Sequence, residues 1–330
     1  MISGITTDTP EAASRKEQLQ VKAELRQLTM VNGWRAAWHV VTEWTAILGA
    51  AYLCERHWSW PLYLATIVWI GSRQHALMIL MHDGVHYRLF RRRRLNEWVS
   101  EVALAWPVLA SARAYRRNHI AHHRFLNTDQ DPDWVRKRGD SAWAFPQAPL
   151  ELISLLAREL SGLGAFSLLR VILTVGADPG GAKPSRRFVA ARLGFYLTVF
   201  LALFWSGRSE ALLLYWFVPL FTWLVLIFRI RSIAEHSAID GKNPDARTRT
   251  TVPNLLERML IAPKNVSYHW EHHQYPGVPF YRLPQLYKLL HREDEHQGHV
   301  TRSYLGVLRE CTRTRAPAHE RTRRVAMEAG

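Results

Sequence analysis

The sequence predicts an all-α, polytopic membrane protein with about four transmembrane helices arranged in two hairpins. Two observations lead to this fold class: apolar residues stand in long blocks, and Lys and Arg residues are concentrated between and beyond the blocks. The mean hydropathy of -0.16 is that of a soluble protein, but the 43 Lys and Arg residues lower this average while the blocks stay intact. With 330 residues, 48% of them hydrophobic, the chain is long enough for a large buried core.

The first predicted hairpin joins a span from about Trp34 to Cys54 to a second span from Trp60 to Met81. Each is close to the roughly 20 mainly apolar residues that cross a bilayer. His39 and Glu43 interrupt the first span, and polar residues in the second suggest that it leaves the bilayer before its end. A short helix is expected before the hairpin, around residues 17–30.

Two later stretches, 95–112 and 148–176, have apolar residues interrupted by charges. Each is therefore expected to be an interfacial helix at the membrane surface. After a loop, the second hairpin is predicted from Phe188 to Trp205 and from Ala211 to Phe228, with a tight turn between them. Its last helix is expected to continue to His236, about 12 Å beyond the apolar end at 1.5 Å per residue.

The division into domains follows from composition. Residues 1–33 are predicted to be a polar cytosolic segment without a cleavable signal peptide, 34–311 a membrane-embedded domain, and 312–330 a basic, disordered tail. Residues 240–251 are expected to form an exposed polar loop. The two cysteines are too few for a cysteine metal site or a disulfide framework, so both are interpreted as packing residues.

The net charge of +15 could indicate a nucleic-acid partner. The sequence shows no nucleic-acid-binding motif, and its arginines stand beside the apolar spans, so a membrane face is preferred. Residues 87–94, 113–138 and the C-terminal third hold most of the Lys and Arg, whereas the two hairpin turns hold one Arg each. The positive-inside tendency then places both termini in the cytosol.

Histidines occur in three short clusters at or beyond the ends of the predicted spans. Their members are His82 and His86; His119, His122 and His123; and His269, His272 and His273. Residues at i, i+3 and i+4 share one face of a helix, so each cluster would present its imidazoles together. The triplet spacing occurs twice, which makes coincidence a poor explanation and indicates metal binding on the cytosolic side.

With the lone His236, nine imidazoles are available, too many for one tetrahedral zinc. Divided between two metals, they give four or five ligands each in a helical cytosolic cap. An all-nitrogen set suits iron, copper, nickel or zinc. The carboxylates expected to orient imidazoles by accepting their second N–H are Asp83, Asp133 and Glu271. Asp129 and Asp131 are further candidates for this role, with solvated loop charges as the alternative interpretation, so Asp133 is preferred to them.

The three clusters resemble the histidine boxes of the membrane-bound fatty acid desaturase and hydroxylase superfamily. The matching segments are His82-Asp83-Gly84-Val85-His86, His119-Ile120-Ala121-His122-His123 and His269-Trp270-Glu271-His272-His273. The resemblance covers roughly residues 34–300. It implies a desaturase-like catalytic domain with two Fe ions in a non-haem di-iron centre, which uses O2 to remove hydrogen from an unactivated C–H bond of a lipid acyl chain. It implies no catalytic residue beyond the metal ligands.

Two departures from the family's acyl-CoA branch bear on the substrate. The first box is shorter than in the acyl-CoA branch, and Ser232 stands where that branch has Asn. An acyl-lipid, sphingolipid, carotenoid or hydrocarbon substrate is therefore favoured.

The sequence shows no fused electron carrier. Electrons are therefore expected from a separate ferredoxin, rubredoxin or cytochrome b5 type protein with its reductase, and this protein is expected to dock near Arg91 to Arg94 and Arg113 to Arg117.

Other functions are weighed against a desaturase. A hydroxylase or ketolase of the same superfamily shares the first hydrogen abstraction and is the second choice. A histidine-rich metal transporter or store is disfavoured, because transporters place ionisable residues within their spans near the midplane. A zinc hydrolase of the HExxH type is disfavoured as well, since Trp270 rather than Glu follows His269.

Overall fold

The computed structural model describes residues 10–166, 169–170, 184–237, 239, 248–292 and 299–313, with side chains from residue 19 onward. These parts of the chain are mostly helical and contain one pair of short parallel strands. The prediction of a helical protein is confirmed. Most of the predicted C-terminal tail, residues 314–330, and the first nine residues lie outside the described part.

Three helices form the first part of the molecule. They are α1 (Pro10–Leu28), α2 (Gly33–Arg56) and α3 (Trp60–Val85). Side-chain caps fix the starts of the last two: Asn32 Oδ1 accepts from Arg35 N, and Ser59 Oγ accepts from Leu62 N. The short link between α2 and α3 makes them an antiparallel hairpin, as predicted. α3 runs past the predicted end of the span and so includes most of the first histidine box.

The first stretch predicted as an interfacial helix, residues 95–112, is helical, and its later part packs inside the protein. It consists of α4 (Arg93–Trp98), a π-helical segment (Val99–Ala105) and a 3-10 turn (Trp106–Val108). Leu104 and Ala105 are fully buried in the same core as α3, whereas Leu95 and Trp98 are exposed, so its place at the membrane surface stays a prediction. A π turn contains one residue more than an α turn, which changes the direction of the side chains that follow. Glu101, within this segment, accepts hydrogen bonds from the backbone N–H groups of Ala112 and Arg113, where the next helix begins.

Helices α5 (Ala112–Phe125), α6 (Pro132–Lys137) and α7 (Pro149–Leu160) follow. α7 is amphipathic as predicted, with Leu152 and Leu155 buried and Leu150 and Ile153 exposed. It is shorter than predicted, because Gly162 takes a left-handed φ of 87° just past its end. The later part of the prediction, residues 171–176, lies outside the described residues.

The second predicted hairpin is confirmed. α8 (Arg186–Trp205) and α9 (Ser209–His236) are joined by a tight turn, and α9 ends at His236 as expected. α9 contains a π-helical segment, Leu213–Phe217, and leaves helical geometry at Thr222. By length and composition α3, α8 and α9 could each cross a membrane. α2 is helical where the first span was predicted, but it does not reach the same apolarity, so a crossing by α2 stays a prediction.

The remaining elements form the end of the molecule that carries the histidines. They are β1 (Arg249–Val252), α10 (Leu255–Leu260), α11 (His269–Gln274), α12 (Leu283–Leu290), β2 (His299–Arg302) and α13 (Tyr304–Thr312). β1 and β2 pair in parallel, with Arg249 opposite His299. The exposed loop predicted up to residue 251 is therefore wrong at its end: Thr250 is fully buried, and Arg249 donates to the carbonyl of Ala234 and pairs with Glu310.

Candidate metal centre

Four helices bring the nine predicted histidines to one place. α3 ends with His82 and its C-cap residue His86, and α9 ends with His236. α5 carries the second box and α11 the third. The i, i+3, i+4 spacing turns the imidazoles of each box toward the same side of its helix. All nine residues fall into two groups.

The first group draws on all three boxes. Its members are His82, His86, His119, His123 and His272, and their candidate ligand atoms lie within 4.8 Å of one another. His123 Nε2 is 2.9 Å from His119 Nε2 and 3.1 Å from His272 Nε2. Five imidazoles thus surround one point at the end of α3.

The second group contains the lone histidine. Its members are His122, His236, His269 and His273, whose candidate ligand atoms are equally close to one another. Histidines that are neighbours in the sequence belong to different groups. His123 and His272 are in the first group, and His122 and His273 are in the second. The two groups are therefore adjacent in space.

Both groups fit a metal ion. Two nitrogens bound at right angles to one metal lie about 2.9 Å apart when each bond is about 2.0–2.1 Å long. The Nε2 atoms of His236 and His269 are 2.9 Å apart, and the distances in the first group are similar. Among the described residues, the buried Nε2 atoms of His86 and His273 have no hydrogen-bond partner. Buried polar atoms are normally paired, so these two have lone pairs available for a ligand.

The electrostatics of the groups also favour a bound cation. Burial, followed by the charges of neighbouring imidazoles, lowers the pKa of His119, His272 and His273 well below the usual value. Burial likewise lowers the pKa of His86 to about 4 and that of His123 to about 3. These five imidazoles are therefore neutral at neutral pH, and the neutral form is the one that binds a metal.

Asp131, rather than the predicted Asp133, orients His122. Both carboxylate oxygens of Asp131 lie 3.0 Å from His122 Nδ1, whereas the nearest oxygen of Asp133 is 3.9 Å away. Asp131 is fully buried, and it also accepts the backbone N–H of Asn127. Burial would raise the pKa of Asp131, but these hydrogen bonds hold that pKa below its usual value. Asp133 instead pairs with Arg136, so the preference for it over Asp131 was wrong.

The other two predicted carboxylates hold backbone segments rather than imidazoles. Asp83 Oδ2 accepts the backbone N–H of Phe280 at 2.8 Å, which ties the end of α3 to the segment after the third box. Glu271 Oε2 accepts from Thr250 Oγ1 at 2.6 Å, which ties α11 to β1. Burial raises the pKa of Glu271 to about 7. Among the described contacts, neither carboxylate meets a histidine nitrogen.

Two residues near the groups were not predicted. Glu235 Oε1 lies 3.7 Å from Nδ1 of His269, and the Tyr115 hydroxyl lies 3.4 Å from Nδ1 of His119. The i, i+4 spacing of Tyr115 and His119 is a signal that could have shown the second contact. No spacing signals the first, because it joins two helices that are far apart in the chain.

A cavity of about 370 Å³ opens onto both groups. Histidines of each group lie on its wall, among them His119 and His272 from the first and His236 and His269 from the second. Its apolar wall includes Met78, Leu109, Val225 and Phe228. A ligand with a hydrocarbon chain can therefore reach the imidazoles along apolar side chains.

Comparison with known proteins gives an independent result. The sequence model of the family described as "Fatty acid desaturase" matches residues 58–305, which include all nine histidines. A dihydrorhizobitoxine desaturase from Bradyrhizobium elkanii is 26% identical over 314 residues, covering 89% of this chain and 87% of that protein.

Two further relatives show the range of the similarity. A sphingolipid delta(4)-desaturase from Candida albicans is 24% identical over 329 residues, covering 92% of this chain and 82% of that protein. A beta-carotene ketolase from Paracoccus sp. is 25% identical over 235 residues, covering 69% and 78% of the two chains. The relatives thus include desaturases and a ketolase.

Proposed function

The chain belongs to the fatty acid desaturase family of oxidoreductases, and we propose that it is a membrane-bound, non-haem di-iron desaturase that introduces a double bond into a lipid acyl chain in an O2-dependent reaction. The observation that carries this proposal is the opening of both histidine groups onto one cavity with an apolar wall. Two of the helices that could cross a membrane, α3 and α9, end at these groups, which gives a lipid chain a direct route to them.

We assign one iron to each histidine group, with five imidazoles for the first and four for the second. The bound irons would supply the oxidising power that removes hydrogen from an unactivated C–H bond. The protein's own part is to hold the imidazoles, with Asp131 fixing the ring of His122. Met78 and Phe228 keep apolar surface against the substrate chain and exclude water from it.

The proposal is tested by mass spectrometry of lipids from a host that expresses the protein under labelled oxygen. We expect the wild type to give products lighter by two hydrogens, without label, and His272→Ala to give none. His57→Ala is the matched control, because His57 is exposed and lies outside both groups. Products of equal amount from wild type and His272→Ala would refute the assignment.

A hydroxylase or ketolase is the second candidate, and the similarity to a beta-carotene ketolase favours it. Desaturation and hydroxylation begin with the same hydrogen abstraction, so the histidine groups suit both. The same experiment separates them, because products that carry labelled oxygen would identify a hydroxylase or ketolase.

We further propose that residues 34–311 form the membrane-embedded catalytic domain, with the polar segment 1–33, the basic tail 312–330 and the histidine boxes all in the cytosol. The supporting feature is the row of exposed arginines, Arg91 to Arg94, directly after the first box. To test this, single cysteines are introduced at residue 92, after the first box, and at residue 207, in the turn between α8 and α9, and are labelled in sealed vesicles. The proposal places these two positions on opposite sides of the membrane. Labelling of both from the same side would contradict it.

We propose that electrons come from a separate acidic carrier that docks on these arginines. Arg91, Arg92 and Arg94 are exposed, and Arg113 at the start of α5 is exposed as well. The triple variant Arg91→Gln/Arg92→Gln/Arg94→Gln should slow reduction by a ferredoxin at low salt, and the difference should shrink at high salt because ions screen the attraction. Lys288→Gln, an exposed charge on α12, is the control. Equal rates at low salt would rule out docking at this surface.

A further inference from the structure

The cavity contains a cluster of polar side chains beside its apolar wall that the proposed oxidation does not use. They are Lys137, Trp143, Glu159, Arg229 and Ser232. Ser232 and Arg229 stand on the face of α9 that leads to His236, at i−4 and i−7. With a rise of about 1.5 Å per residue, they lie about 6 Å and about 10 Å along the helix from His236. The cluster is therefore within a short chain length of the second histidine group.

Arg229 has one donor group to spare. It is 7% exposed, and its Nε and Nη2 atoms donate to Glu159 Oε1 at 3.1 and 2.8 Å. Its Nη1 atom is buried and has no hydrogen-bond partner among the described residues. A buried N–H group without an acceptor is unfavourable, and Arg229 lines the cavity. A ligand atom in the cavity can supply the missing acceptor.

Lys137 adds a positive charge that no carboxylate contacts directly, and Glu235 and Asp131 act on it only from a greater distance. Its Nζ donates to Ser232 Oγ at 2.6 Å and lies 4.7 Å from the centre of the Trp143 ring. Within the described residues, no carboxylate oxygen lies within 4.0 Å of this ammonium group. Since Glu159 balances Arg229, the cluster has a net positive charge of one. Buried cations normally have an anionic or hydrogen-bonded partner.

Trp143 makes the cluster a defined site. Both cations lie against its ring, with the Arg229 guanidinium carbon 3.9 Å from the ring centre and Lys137 also within cation–π distance. The aromatic ring holds both donors in place and gives a flat apolar surface for the adjoining part of a chain. Arg229 Nη1 and the Lys137 ammonium group remain available as donors on the cavity wall, so the site favours a ligand with an acceptor atom.

We propose that Lys137, Ser232 and Arg229 bind an oxygen-bearing acceptor group of the substrate, a carboxylate or carbonyl, and thereby set which carbon lies beside the histidine groups. This inference rests on the proposed function for the reaction itself, and it adds the substrate class. The substrate is a chain with an acceptor group several bonds from the oxidised carbon. A plain hydrocarbon, such as an alkane or a carotene, leaves the cluster without its partner.

The test measures ligand binding apart from catalysis. Purified full-length protein in detergent is titrated with dodecanoate, methyl dodecanoate or dodecane, and each dissociation constant is taken from the shift of the unfolding temperature. We expect the wild type to bind dodecanoate and the ester more tightly than dodecane. Lys137→Met should weaken dodecanoate binding by about tenfold, as expected for a charge-assisted hydrogen bond, and leave dodecane binding unchanged.

Three further variants sharpen the result. Lys137→Arg keeps the positive charge and should retain most of the dodecanoate affinity, and Lys288→Met, on the surface, should retain all of it. Arg229→Leu alone would leave Glu159 buried and unpaired, so it is combined with Glu159→Leu. The double variant should bind the ester less tightly while unfolding at a temperature close to that of wild type.

Two results would overturn the inference: equal wild-type affinity for dodecanoate and dodecane, or unchanged dodecanoate affinity in Lys137→Met.

Failure of this inference is separable from failure of the proposed function. If lipid oxidation occurs but binding does not depend on Lys137, the acceptor site is wrong and the reaction stands. If binding depends on Lys137 but the host lipids show no oxidation, the proposed reaction is wrong and the acceptor site stands. In active protein, Lys137→Met should also spread the double bond over several positions.

Discussion

At the scale of single residues, the carboxylates around the histidines differ in what they can do. Asp131 is buried and meets His122 with both oxygens, whereas Asp133 is half-buried and paired with Arg136. A carboxylate that accepts the second N–H of a metal-binding imidazole fixes its ring and raises its basicity. Asp131 has the geometry for this role in the second group, and Asp133 lacks it.

Asp131→Asn should weaken iron binding in the second group by about 10–100-fold, the usual effect of losing such a carboxylate. Iron content per chain, measured after dialysis against a graded series of chelator concentrations, checks this value. Asp133→Asn is the matched control and should keep the wild-type iron content. Equal loss in the two variants would show that Asp131 has no special part.

At the scale of helices, the close packing of α3 against the π-helical segment limits which residues can replace Gly84 in the first box. A Cβ added at Gly84 would lie 2.0 Å from Ser100 Oγ. Ser100 cannot easily move, because its hydroxyl donates to the carbonyl of Asn96 at 2.6 Å and Asn96 in turn donates to the carbonyl of Gly84. Gly84 is thus required by the contact between α3 and the helical segment after it.

Gly84→Ala should destabilise the protein by about 1–3 kcal/mol, because overpacking outweighs the gain in helix propensity of about 1 kcal/mol. Gly49→Ala on α2 is the control: nothing lies within 4 Å of its added Cβ, so it should be neutral or slightly stabilising. Thermal unfolding in detergent measures both. A stabilised Gly84→Ala protein would disprove the close approach.

The charges in α2 are explained by packing against α3. Glu43 is buried and forms ion pairs with Arg73 of α3 at 3.2 Å and with Lys264 at 2.6 Å. Trp34 and Trp38, near the start of α2, are largely exposed, as aromatic residues are at a membrane interface. These two features support the proposal that α2 is a fourth crossing despite its lower apolarity.

Glu43→Ala should destabilise the protein by about 3–5 kcal/mol, because it leaves Arg73 and Lys264 buried and unpaired. Glu55→Ala, at the exposed end of the same helix, should change stability by less than about 0.5 kcal/mol. Unfolding temperatures of the two variants in the same detergent provide the comparison. Similar temperatures would mean that the ion pairs do not hold α2 against α3.

At the scale of the whole molecule, the histidine groups join parts of the chain that are distant in sequence. The first group connects α3, α5 and α11, and the second connects α5, α9 and α11. A metal bound in each group therefore cross-links the helical bundle to the end of the molecule that contains β1 and β2. Binding to the folded state alone stabilises it in proportion to the logarithm of free metal over its dissociation constant.

Removal of iron by a chelator should lower the unfolding temperature and increase amide hydrogen exchange in α11. Re-addition of Fe2+ should restore both. The variant His272→Ala/His273→Ala, which loses one ligand from each group, should show a smaller response to the chelator. An unchanged unfolding temperature of the wild-type protein would argue against metal in either group.

The helices and the nine histidines could be predicted from the sequence, because both depend on local spacing. Apolar blocks gave the two hairpins, and the i, i+3, i+4 pattern gave imidazoles that share a helix face. The end of α9 at His236 was predicted for the same reason. These features need no knowledge of what a helix packs against.

The tertiary structure alone decided the rest. The division of the histidines into groups of five and four, the choice of Asp131 over Asp133, the approach of Glu235 to His269 and the burial of Leu104 and Ala105 all depend on which helices pack together. The same holds for β1, where Thr250 and Arg249 look like exposed loop residues until β2 and α13 cover them. Spacing along a chain specifies the face of a helix, and only packing specifies what that face meets.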